Sequence, residues 1–236
     1  MDETPVNFVF LHGQVLANVG DQVTAHLPND FKQSFIAICT ISLDCKIYPP
    51  IFLAKGKTNL CHQQFDGINS RYDYEIMHSG GNTSSEVMIE YLEMVHKWAN
   101  EEECALICDR YRSHITHSVQ KRACELNINM IFVPKSGTDI FQPCDRRIFG
   151  AVKAMYCMEV ADRSFNSNDP ITKPEAARNF LRAWNRVSLP TLITAWRILG
   201  TNGDTSDEEN LDSDDDFVEE EDDFDSTYDR DDDYIQ

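Results

Sequence analysis

The sequence predicts an α/β fold followed by an acidic tail, and three observations carry that prediction. Two short apolar runs, Ala105-Leu106-Ile107-Cys108 and Met130-Ile131-Phe132-Val133, have no polar alternation and read as strands buried on both faces. Segments with apolar residues at helical spacing stand around them: Val87, Tyr91, Leu92, Val95 and Trp98, then Val119, Ala123 and Leu126, then Ile148, Phe149, Val152, Met155 and Tyr156. Composition then changes abruptly. Residues 201–236 hold 18 Asp and Glu against one Arg, so nearly all of the net charge of −19 belongs to the end of the chain. The first 200 residues are close to neutral, and an acidic total therefore says nothing against nucleic-acid binding by that part.

Taken in order, residues 6–33 give weak signals punctuated by Gly13, Gly20 and Pro28. Phe35 to Ile41 is apolar and β-branched, and Ile47 to Leu53 reads as its returning strand across Ser42-Leu43-Asp44-Cys45. Asp-Cys is a poorer turn dipeptide than Asp-Gly. Lys55-Gly56-Lys57 is a small basic loop, and residues 58–82 are polar without a clear period. Thr83 or Ser84 can cap the helix that follows, with Glu86 in its first turn. Two helices close the folded part. Thr172-x-x-Glu175 with Pro174 is a capping-box start, and Ser188 and Pro190 open a second helix, with Leu192, Ile193, Trp196 and Leu199 on one face, that stops at Gly200. Antiparallel strands thus come first and strand–helix units second, which favours a mixed sheet. The expected organisation is a core over 1–160, a helical pair over 161–200 packed on it, and a disordered acidic tail over 201–236.

Several classes fall away. The eight cysteines form no C-x-x-C pair, so neither a structural zinc site nor a secreted disulfide scaffold is supported. No apolar run approaches membrane-spanning length, and no signal peptide is present.

The residues that carry chemistry are acidic. Asp109 ends a strand, where sites form in open α/β sheets. Asp145 precedes Ile148, Phe149 and Val152 by three, four and seven positions; on an α-helix those offsets share a face, so its carboxylate is expected to point inward. Two buried carboxylates repel unless a cation lies between them, and Mg²⁺ takes one or two carboxylates with water and phosphate oxygens. The plainer readings are a turn or capping residue at Asp109, a dipole-matching residue at Asp145, and a surface or capping histidine at His114. Lys55, Lys57, Arg146, Arg147 and Lys153 form either a phosphate-tracking patch or an ordinary solvated face.

At these residues a family resemblance enters. Ala105-Leu106-Ile107-Cys108-Asp109 with Ser113-His114 resembles the second aspartate motif of the DDE-type transposases of the pogo/Tigger/Jerky group, which includes centromere protein B. Val133-Pro134, Thr138, Gln142-Pro143-Cys144-Asp145, Phe149-Gly150 and Lys153 resemble the third motif, and Asp2-Glu3-Thr4 the first. The hairpin with Pro49-Pro50, the Lys55-Gly56-Lys57 loop and the closing helices extend the likeness over residues 2–200. The resemblance implies an RNase H-like fold with a five-stranded mixed sheet flanked by helices. It implies that Asp2, Asp109 and Asp145 bind two Mg²⁺ or Mn²⁺ ions for hydrolysis and strand transfer of DNA, with His114 supporting the second aspartate or a phosphate. Nuclear localisation and a homodimer belong to the same expectation. The chain departs from the pattern at Arg110, where Asn is usual, and at Lys135, Cys144, Arg146 and Arg147. Only Met1 precedes Asp2 where the family places a strand, and no helix-turn-helix region is present, which reads as a truncated gene model or a host-retained remnant. The competing function is a catalytically inactive DNA- or chromatin-binding regulator. Its tail would recruit basic chromatin proteins, with Ser206 and Ser213 as sites for an acid-directed kinase; the plainer reading of the tail is a solubilising end.

Overall fold

A computed structural model describes residues 1–8, 33–68, 70–80, 82–134, 137–166 and 170–197. The chain divides into a unit over Met1–Thr201 and a second over Asn202–Gln236. The expected disordered tail, Ser206, Ser213, Lys135, Leu199, Gly200 and the turn residues Gly13, Gly20 and Pro28 lie outside the described residues.

The strands are β1 (Asp2–Asn7), β2 (Ser34–Cys39), β3 (Ile51–Lys55), β4 (Glu75–Ser79), β5 (Cys104–Cys108) and β6 (Ile128–Phe132). The helices are α1 (Ser85–Trp98), α2 (His117–Glu125), α3 (Thr138–Phe141), α4 (Phe149–Asn166), α5 (Lys173–Trp184) and α6 (Leu189–Arg197). Hydrogen bonding divides the strands into a four-stranded sheet, β1-β2-β3-β4, and a two-stranded sheet, β5-β6. The first is mixed: β1, β2 and β3 run antiparallel and β4 lies parallel to β3. β5 and β6 are parallel, with Leu106 opposite Met130. This replaces the expected single five-stranded sheet. The Met1 nitrogen donates to the carbonyl of Ile107 across the two sheets at 2.9 Å, and Ile38 and Leu53 of the first pack in one cluster with Leu106 and Cys108 of the second.

Two elements differ from the sequence reading for identifiable reasons. Asp2 opens β1 rather than closing a strand, and the six residues from Asp2 to Asn7 pair fully with β2. Pro5 hides this strand in the sequence, because Pro suits only a sheet edge; β1 lies at the edge of its ladder. β4 and a preceding 3₁₀ helix, Asn59–Phe65, fall within the polar stretch that gave no period. β4 exposes Glu75 and half-exposes Ile76 and His78, so its composition lacks a strand signature.

Two clusters fill the interior on opposite faces. One packs Phe35, Phe52 and Phe65 from the strand side against Ile148, Phe149, Phe180 and Trp184. The Phe35 and Phe52 rings meet edge-on at 5.1 Å, and the Trp184 indole donates to the Tyr48 carbonyl at 2.9 Å. The other packs Ile38, Ile51 and Leu53 against Val87, Tyr91 and Leu92 of α1 and Val119 and Ala123 of α2. β5 and β6 bury only the face carrying Leu106, Cys108 and Ile128. On the other face Ala105 is exposed and Ile131 is 51% exposed, which corrects the expectation of burial on both sides.

Capping follows the sequence. Ser84 accepts from the Val87 amide, and Thr172 and Glu175 form the reciprocal capping box. Cys45 adopts a φ of 61° in the hairpin turn. None of the eight cysteines is disulfide-bonded. No described helix is long and apolar enough to cross a membrane.

Candidate active site

Three segments deliver the acidic residues to one region. In β1, side chains alternate between faces, so Asp2 and Thr4 share the buried face with Val6 while Glu3 projects the other way. β5 ends at Cys108 and the chain turns at Asp109, whose Oδ1 accepts from the Tyr111 amide at 3.0 Å. The turn continues with the His114 amide donating to the Tyr111 carbonyl, which folds the imidazole back toward the strand. His114 is fully buried, so it is neither a surface nor a capping histidine. Its Nδ1 lies 2.7 Å from Asp109 Oδ1, and its Nε2 lies 3.1 Å from Glu3 Oε1.

Asp145 comes from a different geometry than its spacing suggested. Residues Cys144–Ile148 form a π-helical turn, with the Phe149 amide bonded to the Cys144 carbonyl. The wider turn changes which residues share a face. Cys144 points inward with Ile148 and Phe149, and Asp145 is exposed. The turn is therefore not the α-helix that the offsets assumed, and residue 145 as a whole is exposed. The carboxylate nevertheless faces Asp2: burial, and then the Asp145 charge, push the Asp2 carboxyl up to about 9.

The two halves of the site differ in electrostatics. The His114 hydrogen bond holds the Asp109 carboxyl below its ordinary value. Burial alone would lower the imidazole pKa, but the hydrogen bonds to Asp109 and Glu3 outweigh it and raise it to about 10. His114 is thus an imidazolium at neutral pH, donating from both nitrogens. Asp2 has no cationic side chain beside it: the charge and the side-chain hydrogen bond of Asp145 both push its carboxyl up. Its Oδ1 accepts from the Glu3 amide at 2.8 Å, and no N–H or hydroxyl donor reaches the buried Oδ2. Two more buried polar atoms on neighbouring motif residues, Ser113 Oγ and Gln142 Oε1, lack a hydrogen-bond partner. Buried polar atoms are normally satisfied, and these three belong to residues of the acidic motifs.

The residues drawn from the sequence are therefore placed as follows. Asp2 adjoins Asp145, and Asp109 is held by His114. Lys55 and Lys57 are exposed at the end of β3 and in the loop after it, and Arg146, Arg147 and Lys153 are exposed on the π-helical turn and α4. Arg110 is exposed and makes no ion pair with Asp109 among the described residues. The sequence reading quoted two further residues in its motifs without giving either a role. Glu3 contributes to a group with Asp109 and His114 whose ligand atoms all lie within 4.8 Å of one another. Gln142 donates from Nε2 to the Met1 carbonyl at 3.5 Å. Glu3 could have been found from strand alternation next to Asp2; the Gln142 contact spans 141 residues and leaves no local signal.

A family model described as DDE superfamily endonuclease matches residues 32–196. The chain belongs to that family. CENP-B homolog protein 2 of Schizosaccharomyces pombe (strain 972 / ATCC 24843) is 21% identical over 207 residues, covering 82% of this chain and 39% of that protein. This DDE superfamily chain thus spans about two-fifths of the curated relative. Among solved structures, a Mos1 transposase paired-end complex with left transposon end matches at a TM-score of 0.45 and 14% identity, over 82% of this chain and 53% of that one. A Mos1 mariner paired-end complex with Mn matches at 0.44 and 15% identity, over 83% and 52%.

The residues present fit a divalent cation. Asp2 and Asp145 offer hard oxygen donors, and a cation between them would relieve the mutual repulsion at the buried Oδ2, which no N–H or hydroxyl donor reaches.

Proposed function

We propose that this DDE superfamily domain is transposase-derived and cleaves and joins DNA phosphodiesters with divalent metal, in an RNase H-like arrangement of Asp2, Asp109 and Asp145. The observation that carries this reading is the buried Asp2 carboxyl set against the Asp145 carboxylate, with no N–H or hydroxyl donor to its Oδ2. A carboxylate pair kept at such cost is favoured when a cation is part of the working state. Asp2 and Asp145 would hold one Mg²⁺ or Mn²⁺ ion, and Asp109 would complete the set for two. Such ions supply activation of the attacking water and stabilisation of the leaving oxygen. His114 fixes the Asp109 carboxylate through Nδ1 and keeps it ionised. Glu3 anchors the far side of the imidazole. Lys55, Lys57, Arg146, Arg147 and Lys153 would track the phosphate backbone, and the nucleus is the compartment this substrate implies.

One observation favours a second reading, a metal-free DNA- or chromatin-binding regulator. The His114 imidazolium sits between Glu3 and Asp109 and offsets one of their two negative charges without a metal. A supercoiled-plasmid assay with Mg²⁺ or Mn²⁺ separates the two. Nicking that requires metal and falls at least 100-fold in Asp109→Ala supports the nuclease. DNA binding without nicking, unchanged by EDTA, supports the regulator.

A further inference from the structure

A cleft of about 710 Å³ lies between α4, α5 and the segment leading into β4, lined by Arg71, Tyr72, Glu159, Arg178, Arg182 and Arg186. None of these residues belongs to the three acidic motifs. We infer that this cleft binds the phosphodiester backbone of nucleic acid, at a site separate from the carboxylates. The lining carries four guanidinium groups and one carboxylate. Glu159 is shared, receiving Arg182 at 3.2 Å on one oxygen and Arg186 at 3.1 Å on the other. It links α4 to the end of α5 but offsets only one of the positive charges. Arg71 donates to the Tyr72 hydroxyl at 2.7 Å and lies 4.9 Å above its ring. Among the described residues no carboxylate pairs with Arg71 or Arg178.

A structural role accounts for part of the group, because arginines near a helix C-terminus suit its dipole and Glu159 holds two of them. It does not account for Arg71 and Arg178 converging on the same concavity. Like charges collected in a cleft focus a positive field and favour an anion, and guanidinium forks match phosphate oxygens in geometry. Arg178 and Arg182 are one helical turn apart and Arg186 follows just past α5, a row of roughly 12 Å at 1.5 Å per residue. That length matches about three to four base-pair steps of a duplex strand, whereas a single free phosphate would satisfy only part of the row. A polymeric phosphodiester is the ligand that uses all of it.

The test is fluorescence anisotropy of a labelled DNA duplex with the full chain in EDTA, over about 50 to 200 mM salt. EDTA keeps the measurement independent of the proposed cleavage, so a chain that never nicks DNA can still bear the inference out. Replacing both Arg71 and Arg178 by Gln should flatten the dependence of log K on log salt by about 1.8. Across that salt range the variant should lose about tenfold less affinity than the wild type. The Arg71→Lys, Arg178→Lys pair should keep the wild-type slope. An unchanged slope in the Gln pair overturns the inference, as does equal loss in both pairs, which would assign the arginines a structural role. No duplex binding by the wild type at low salt overturns it too. Unchanged duplex binding with weakened binding of an acidic peptide spanning 201–236 would assign the cleft to polypeptide instead.

Discussion

At the residue scale, His114 and Asp2 respond to pH in different windows. The folded pKa of His114 is raised to about 10, above an ordinary value near 6.5. The stabilisation it brings is therefore complete below about pH 6.5 and disappears as pH rises through about 10. His114→Gln should lower the melting temperature at pH 7, and thermal melts should show the gap narrowing toward pH 10. The Asp2 carboxyl is also raised, to about 9, and the sign is the same: the folded state disfavours ionisation, so stability falls as pH climbs from about 4 toward 9, a window that opens at lower pH than that of His114. Asp2→Asn should therefore stabilise the metal-free chain at pH 7, while calorimetry shows Mn²⁺ binding lost. A variant that is destabilised and still binds Mn²⁺ would remove Asp2 from the site. The motifs singled out Asp2, Asp109 and His114. The burial of His114 was not legible, because a single histidine in a polar loop carries no sign of the strand that covers it.

At the scale of elements, the π-helical turn at Cys144–Ile148 sets the direction of Asp145. Deleting one residue of the turn, such as Arg147, would restore α-helical spacing and swing Asp145 by about 100° relative to α4, one residue's rotation at 3.6 per turn. The expected result is native-like circular dichroism with Mn²⁺ affinity lost. Thr172→Ala removes the cap of α5 and should cost about 1 kcal/mol in urea unfolding, with little change at the distant carboxylates. Both elements show why the sequence is read unevenly. The capping box at Thr172 and Glu175 is a local pattern and survives into the structure unchanged. The extra residue per turn at Asp145 leaves no local mark, since the same apolar residues fit either period. β1 was hidden by Pro5 and β4 by its polar residues; each is held by pairing with β2 or β3 rather than by its own propensity.

Across the whole unit, the two sheets differ in how they are covered. β2 and β3 are enclosed by both clusters, while β5 and β6 leave Ala105 and Ile131 open. Hydrogen exchange should find the amides of β2 and β3 protected for longer than those of β5 and β6; equal protection would mean that the open face is covered in solution. Mixed strand–helix order was readable from hydrophobic period, but the division into four and two strands depends on which backbone groups meet. The junction between them has a mechanical consequence. The bond from the Met1 nitrogen to the Ile107 carbonyl lies one residue before Asp2 on one side and two residues before Asp109 on the other, so shear of one sheet against the other would pull the two carboxylates apart.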